Sequence, residues 1–146
     1  MEYDEVKAIL LRHWSHTGGS NEHLASELYH DDALLEFPQS GERFRGRAKI
    51  TSWRSAYPAR LQFEPRAIRG AGDVWIAEGS IRYDEGEPMH FVKIVFFRSG
   101  LVERETIYIA AAFAPAESRS AFADETDIEA TPGLPLLIEG GSRGKT

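Results

Sequence analysis

Three charged side chains in the second half of the chain have the types and surroundings that acid–base chemistry needs. Glu78, Lys93 and Glu105 each alternate with apolar residues, so each shares a strand face with apolar side chains. A carboxylate that leaves water must pair with a cation or take a raised pKa, which makes a buried Glu either a general base or half of an ion pair. Lys93 supplies the partner for either Glu, or a positive charge that stabilises an oxyanion.

His13 is a further candidate, because histidine titrates near neutral pH. It lies on the apolar stripe of a predicted helix, where it is either an acid or second base beside a Glu, or a core histidine held by one hydrogen bond. A metal site with His16 is the weakest interpretation, since the two rings point in different directions and no carboxylate has a diagnostic spacing. We therefore predict neither a metal nor a cofactor.

Three helices are predicted in the first half of the chain. Apolar residues recur every three or four positions over Tyr3 to His16 and over Arg47 to Tyr57. A shorter helix is predicted from Glu22 to Tyr29, followed by a strand from Ala33 to Phe37. Residues 38–42 have the composition of a loop.

After the third helix the apolar period changes to two, which predicts four strands. They are Arg60 to Arg69, Asp73 to Tyr83, Pro88 to Arg98 and Leu101 to Phe113. Short turns that contain glycine separate them and favour antiparallel hairpins. Helices followed by an antiparallel meander indicate an α+β domain whose helices cover one face of the sheet.

Both faces of the predicted strand from Pro88 to Arg98 are apolar. One face carries Phe91, Val95 and Phe97, and the other carries His90, Val92, Ile94 and Phe96. The helices can cover one face, and the second would leave a large apolar patch on a monomer, which usually marks an interface. We therefore predict a homodimer through the outer face of the sheet.

Composition limits the class of protein. The chain has 146 residues, no Cys, 42% hydrophobic residues and a formal net charge of −6. These values indicate one globular core, exclude disulfides and thiolate metal sites, and argue against a nucleic-acid partner. No segment approaches the roughly 20 apolar residues that cross a bilayer, so we expect no membrane association and a cytoplasmic location. The Gly- and Pro-rich residues 123–146 predict a flexible tail after a domain of residues 1–122.

Three segments carry a resemblance to a known family. They are LYHDDALLEFP at 28–38, GERFRGR at 41–47 and GLVERETIY at 100–108. Together with the order of elements, they resemble the SnoaL-like branch of the nuclear transport factor 2-like superfamily over about residues 3–122. The resemblance implies a cystatin-like α+β barrel, a cone in which a curved antiparallel sheet wraps around the N-terminal helices and leaves a deep pocket open at one end.

The resemblance also implies which residues face that pocket. Glu78, Lys93, Glu105 and His13 would lie together on the concave surface as the catalytic candidates. If a Glu only pairs with Lys93, the pair closes the cone without taking part in a reaction. The candidate ligand-binding residues, which are apolar or aromatic, are Trp14, Phe37, Trp53, Tyr57, Phe91, Val95 and Ile107.

Relatives of this kind include ketosteroid isomerase, scytalone dehydratase, limonene epoxide hydrolase, polyketide cyclases and proteins that only bind. The chain departs from the ketosteroid isomerase pattern of a general-base Asp with a Tyr and a protonated Asp as oxyanion donors. Phe37, His13 and either Lys93 or Val95 stand at those positions, so that mechanism is excluded. We predict a cofactor-independent acid–base enzyme, an isomerase, cyclase, dehydratase or epoxide hydrolase, acting on a small apolar or aromatic molecule. The alternative is a non-catalytic ligand-binding or dimerisation module.

Overall fold

A computed structural model describes residues 1–18 and 21–128, which form helices packed on one curved sheet. The α-helices are α1 (Tyr3–His16), α2 (Glu22–Ala25) and α3 (Arg47–Ala56). The strands are β1 (Tyr29–Phe37), β2 (Glu42–Arg45), β3 (Leu61–Ala71), β4 (Val74–Tyr83), β5 (Met89–Arg98) and β6 (Leu101–Ala111). The prediction of an α+β cone is confirmed, and β3 to β6 begin and end within two residues of the predicted bounds.

The first helix has the predicted bounds. Its N-terminus is closed by a capping box, in which the backbone N–H of Glu2 donates to the Glu5 carboxylate over 3.4 Å. The buried residues of α1 lie three or four positions apart, which produces one stripe against the sheet. They are Val6, Leu10, His13 and Trp14.

The second helix is shorter than predicted, and the first strand is longer. The hydroxyl of Ser26 donates to the carbonyl of Glu22 over 2.8 Å, and the chain tightens into a 3-10 turn over Ser26–Leu28. Tyr29 then begins β1 and is fully buried there, instead of ending a helix. Its place on a strand positions its hydroxyl in the interior.

The sheet is mixed, whereas the sequence predicts an antiparallel one. Its order is β2-β1-β6-β5-β4-β3, and β1 runs parallel to β6 while the other neighbouring strands are antiparallel. The parallel pair is possible because the chain between β1 and β6 is long enough to return to the same end of the sheet. The predicted loop 38–42 shortens to a turn because Glu42–Arg45 pairs with β1.

A bulge in β3 helps to curve the sheet. The register between β3 and β4 shifts between Pro65 and Ala67, where the chain passes close to Gly79. A Cβ atom on Gly79 would lie 2.1 Å from the carbonyl oxygen of Glu64. Only glycine fits this crossing without a backbone shift.

The faces of β4 are the reverse of the predicted ones. Trp75, Ala77 and Ile81 are buried, and Ala77 lies directly opposite the buried Lys93 of β5. Because neighbours across a sheet point to the same side, the alternate positions of β4 face outward. The prediction that Glu78 faces the interior of the cone is therefore wrong.

The described residues contain no helix that is long and apolar enough to cross a membrane. Most of the predicted tail, residues 129–146, lies outside the described residues, and so does its apolar segment 134–138. Division into a domain of residues 1–122 and a tail therefore stays a prediction.

Candidate functional site

A cavity of about 490 Å³ lies between α3 and the concave face of the sheet. That volume is in the range that holds small organic ligands. The elements that line it are the end of α1, the start of α2, α3 and all six strands or the turns beside them. The lining side chains are mainly aromatic or aliphatic, with a few polar ones.

An aromatic wall occupies the side of the cavity formed by α3, β1 and β2. Trp53 stacks on Phe44 with ring centroids 5.0 Å apart, and Phe37 meets Trp53 edge-on at 5.6 Å. Tyr57 continues the wall toward Tyr83, with 6.2 Å between their centroids. Such a wall presents flat apolar surface to a planar ligand.

The predicted ligand-binding residues divide into two groups. Phe37, Trp53, Tyr57 and Ile107 line the cavity, and their contact with a ligand stays a prediction. Trp14, Phe91 and Val95 do not line it, because they are buried in the hydrophobic core. Phe63 of β3, which the sequence analysis did not single out, stacks on Trp14 at 5.8 Å, meets Phe91 at 5.6 Å, and lines the cavity in their place.

Five polar side chains form what we call the charged cluster at the base of the cavity. Its members are His13, Tyr29, Arg54, Lys93 and Glu105. The Nζ atom of Lys93 lies 3.5 Å from Oε2 of Glu105, and the Arg54 guanidinium lies 3.8 Å from the other carboxylate oxygen, Oε1. The Tyr29 hydroxyl donates a hydrogen bond to the same Oε1. The Lys93–Glu105 ion pair that the sequence left open as an alternative is therefore present.

Arg54 joins the helical part of the cluster to the sheet. Its Nη1 donates to the Tyr29 hydroxyl over 3.1 Å and lies 3.3 Å from Nε2 of His13. Nδ1 of His13 lies 2.8 Å from the carbonyl oxygen of Ala25, which can only accept, so we assign the ring proton to Nδ1. Nε2 is then the acceptor for Arg54, and both ring nitrogens have partners.

Burial and charge shift the pKa values of the cluster strongly. Burial, together with the cations Arg54 and Lys93, lowers the pKa of His13 to about 3. Burial acts to raise the pKa of Glu105, but Lys93 and Arg54 outweigh it and bring that pKa to about 2. Burial lowers the pKa of Lys93 to about 8 against the opposing effect of Glu105, and it raises the pKa of Tyr29. At pH 7 two cations therefore face one carboxylate.

The predicted catalytic residues differ in their access to the cavity. Lys93 lines it, together with Arg54. Glu105 and His13 do not line it, and their polar atoms are occupied by partners within the cluster. A carboxylate with a pKa of about 2 is also a weak base. This geometry supports the ion-pair role of Glu105 rather than proton transfer by either residue.

Glu78 is separated from the cavity by the sheet itself. It lies on the outer face, 2.6 Å from Nη1 of Arg69 and 2.9 Å from Nη2 of Arg66. The hydrogen bonds from Arg69 and Arg66 outweigh partial burial and lower its pKa. The sequence placed it inside because Val74 and Ile76, which share its face, are apolar as well.

Three polar residues of the site were missed by the sequence analysis. Arg54 follows the buried Ile50 by four positions, and this helical spacing is a signal that would have placed it on the inner face of α3. Tyr29 was assigned to a helix. Glu22 lines the cavity and accepts hydrogen bonds from the Thr17 hydroxyl over 3.0 Å and from the Gly18 N–H over 2.6 Å.

Nothing in the described ranges 1–18 and 21–128 groups three or more metal-ligating His, Asp or Glu side chains. His30 of β1 contacts the carbonyl oxygen of Arg98. The expectation of a metal-free and cofactor-free protein stays a prediction.

Comparison with known proteins gives a consistent family match. Residues 13–105 match the profile of the SnoaL-like domain. The solved structure of an NTF-2 like protein of unknown function from Burkholderia xenovorans is 36% identical, with a TM-score of 0.76; the match covers 86% of this chain and 98% of that one. A search of curated proteins finds no match.

More distant solved structures share the fold alone. An LEH-like epoxide hydrolase from M. tuberculosis is 12% identical with a TM-score of 0.64, over 73% of this chain and 84% of that one. Nuclear transport factor 2 from Cryptosporidium parvum is 18% identical with a TM-score of 0.62, over 73% of this chain and 94% of that one. The fold thus occurs both in an enzyme and in a transport factor, so function must be argued from the site.

Proposed function

This chain belongs to the SnoaL-like domain family, and from that membership and its cavity we propose that it binds a small, mainly apolar or aromatic molecule and carries out cofactor-independent acid–base chemistry on it. The observation that carries the proposal is the pair of cations, Lys93 and Arg54, at the base of an otherwise largely apolar cavity. Buried charges are costly in such surroundings unless they are paired. Within the charged cluster both cations contact the same carboxylate, that of Glu105, and both line the cavity.

Lys93 and Arg54 would hold an oxygen atom of the ligand. Isomerisation and cyclisation of a carbonyl compound, dehydration and epoxide opening all develop negative charge on oxygen. A fixed cation in a site with little water stabilises that charge more than water does, because its charge is already oriented. Lys93 can also give the oxygen a proton, since its pKa of about 8 is close to neutrality. Glu105, Tyr29 and His13 act as positioning residues for the two cations.

Glu22 is the group we assign as the proton acceptor. It lines the cavity, and its negative charge raises the pKa values of both Arg54 and Lys93, which places it within electrostatic range of both. The Thr17 hydroxyl and the Gly18 N–H fix its orientation. A carboxylate and an ammonium that face one cavity form the acid and base pair that proton transfer between two positions of a ligand requires.

A non-catalytic ligand-binding module is the second candidate. It is favoured by the hydrogen bonds and ion pairs of His13 and Glu105, whose polar atoms already have partners inside the protein. In that case Lys93 and Arg54 would select an oxygen-bearing ligand without changing it.

Solvent exchange distinguishes these two functions without knowledge of the natural substrate. The probe is β-tetralone, a small aromatic ketone with acidic C–H bonds, incubated with the protein in deuterated water and followed by NMR. We expect deuterium to enter the α-carbon, and both Glu22→Gln and Lys93→Met to slow this exchange by about tenfold or more. Glu27→Gln is the matched control, because Glu27 is exposed, pairs with Arg12 and does not line the cavity.

Two outcomes would contradict the catalytic proposal. If β-tetralone binds, as shown by protein chemical shifts of the cavity residues, but exchanges no faster than in buffer, the binding module is supported instead. If Glu22→Gln, like the control Glu27→Gln, catalyses deuterium exchange into β-tetralone at the wild-type rate, the assignment of Glu22 as proton acceptor is wrong.

We also propose a homodimer through the outer face of the sheet. The outward residues near the centre of that face are apolar and half-buried or exposed: Ile76, Val92, Ile94, Phe96 and Tyr108. Charged pairs border this patch, with Arg66, Arg69 and Glu78 on one side. An apolar centre with a polar rim is the usual composition of a protein interface. A cytoplasmic location stays a prediction that cell fractionation would test.

A further inference from the structure

We infer that Lys93 is an amine nucleophile, which captures small aromatic aldehydes and ketones in the cavity as an imine. This inference rests on the proposed function in one respect, that a carbonyl ligand enters the cavity with its oxygen toward Lys93. It adds a covalent step, because the ligand carbon becomes bonded to Nζ.

The position of Lys93 places its amine at the centre of the concave face. Lys93 lies on β5, directly between Ala77 of β4 and Ile107 of β6. Its side chain is only 3% exposed, yet it lines the cavity, so Nζ faces enclosed space instead of bulk water. A lysine present only to neutralise Glu105 would not need that access.

The apolar surroundings favour the neutral amine. Nζ lies 4.3 Å from the ring centroid of Phe63, 5.7 Å from that of Trp14 and 5.9 Å from that of Phe91. The faces of these rings attract an ammonium, but the rings also exclude the water that would solvate it, and burial is the largest cause of the lowered pKa of Lys93. Desolvation in an apolar pocket and the proximity of a second cation are the two conditions that activate a lysine as a nucleophile.

The charged groups around Lys93 tolerate the loss of its proton. Those that act on it are Glu105 from β6, Arg54 from α3, His13 from α1 and Glu22 from α2, and Tyr29 from β1 holds Glu105 and Arg54 by hydrogen bonds. When Lys93 is neutral, Glu105 still has Arg54 as its partner, so no buried charge is left alone. Burial lowers the pKa of Lys93 to about 8, which leaves roughly a tenth of it neutral at pH 7.

The reaction is a condensation and needs no oxidant or reductant. The lone pair of Nζ attacks the carbonyl carbon, the C=O π electrons move to oxygen, and the proton lost by nitrogen passes to that oxygen, with Glu22, which also lines the cavity, as the carrier. The carbinolamine hydroxyl then takes up a proton from solvent, which replaces the one that the Lys93 ammonium lost before the attack, and leaves as water while the nitrogen lone pair forms the C=N bond. The protonated imine keeps the single positive charge of the lysine, so its ion pair with Glu105 remains.

Reductive trapping tests this inference on the wild-type protein. The full chain is incubated with benzaldehyde and sodium cyanoborohydride at pH 7, and the benzyl adducts are located by peptide mass spectrometry. We expect Lys93 to be labelled at least about tenfold faster than the exposed Lys49, because its lowered pKa makes more of the Lys93 amine neutral at that pH. The rate at Lys93 should rise toward about pH 8, and β-tetralone should slow it by competition.

The competing amines and a charge-preserving variant complete the test. The chain's other lysines are Lys7, Lys49 and Lys145, and the Met1 amine also reacts near neutral pH; peptide mapping separates all of them from Lys93. Lys93→Arg keeps a cation beside Glu105 and cannot form an imine, so its adducts should be confined to the other amines.

The inference is overturned if Lys93 reacts no faster than Lys49. It is also overturned if Lys93 of the wild type is not labelled and Lys93→Arg keeps the wild-type rate of deuterium exchange into β-tetralone. In that case the proposed function stands, with Lys93 acting only as a cation. Labelling of Lys93 without any deuterium exchange supports the imine and contradicts the acid–base proposal.

Discussion

His13 is kept neutral in the folded protein while charged groups surround it. Burial and the cations Arg54 and Lys93 lower its pKa to about 3. In the unfolded chain the same side chain has an ordinary pKa of about 6.5, so acid protonates the unfolded chain first. The contribution of His13 to stability is therefore complete above that pH and is lost as the pH falls toward 3.

We expect the free energy of unfolding to fall by about 2 kcal/mol between pH 7 and pH 5, mainly through His13. Urea denaturation at the two pH values measures this difference, and His13→Gln should remove most of it. Glu105 also loses its contribution in acid, but only below the ordinary Glu pKa of about 4.3, outside this interval. His23→Gln on the exposed face of α2 is the control and should keep the wild-type dependence. Equal stability of the wild type at both pH values would contradict the prediction.

Single residues differ in how well the sequence reveals them. Lys93 and Glu105 were predictable as inward partners because each interrupts a regular apolar alternation on a strand face that the family resemblance places inside the cone. Arg54 was not singled out, although it lies four positions after the apolar Ile50, because arginines on an otherwise polar helix are mostly exposed. What places it inside is the carboxylate of Glu105, which is distant in the sequence.

At the scale of elements, β4 shows where alternation stops being informative. Apolar residues occupy both of its faces, so the period of two is present but does not say which face is inside. The size of Trp75 is decisive in the structure, since burying an indole removes more apolar surface from water than burying Val74 or Ile76. The inward side of β4, and with it the place of Glu78, follows from that.

The crossing of β3 and β4 leads to a test of the curved sheet. Gly79→Ala would put a Cβ atom 2.1 Å from the carbonyl oxygen of Glu64, which only a backbone shift can relieve. We expect the free energy of unfolding to fall by about 2 kcal/mol, the usual cost of overpacking. Urea denaturation checks the value, and Ser80→Ala on the outer face of the same strand should change it by less than about 0.5 kcal/mol. A neutral Gly79→Ala would show that the two strands do not approach this closely.

At the scale of the whole molecule, the two faces of the sheet differ in what covers them. The concave side is occupied by the core and the cavity, whereas the outer side leaves a half-exposed apolar patch bordered by ion pairs. The α+β architecture was predictable from the order of helices and strands alone. The parallel pairing of β1 with β6 was not, because pairing between distant strands leaves no local pattern in the sequence.

The outer face predicts the oligomeric state. We expect light scattering at micromolar concentration to give the mass of a dimer, and Ile94→Glu at the centre of the patch to give a monomer, because the dimer would bury an unpaired carboxylate. Leu11→Glu is the control, since Leu11 is an exposed apolar residue on the opposite, helical side. A wild-type monomer, or a dimer that only Leu11→Glu disrupts, would contradict this assignment.

The pairing of β1 with β6 also determines when the cavity can exist during synthesis. Tyr29 and Glu105, which meet at its base, are separated by 76 positions. During synthesis β1 leaves the ribosome long before β6 and stays unpaired on that side until β6 has been made. Contacts between segments that are distant in the sequence also form slowly. The cavity is therefore among the last parts of the protein to form during synthesis. A chain truncated before β6 lacks Glu105 and Ile107 and cannot form the ligand site.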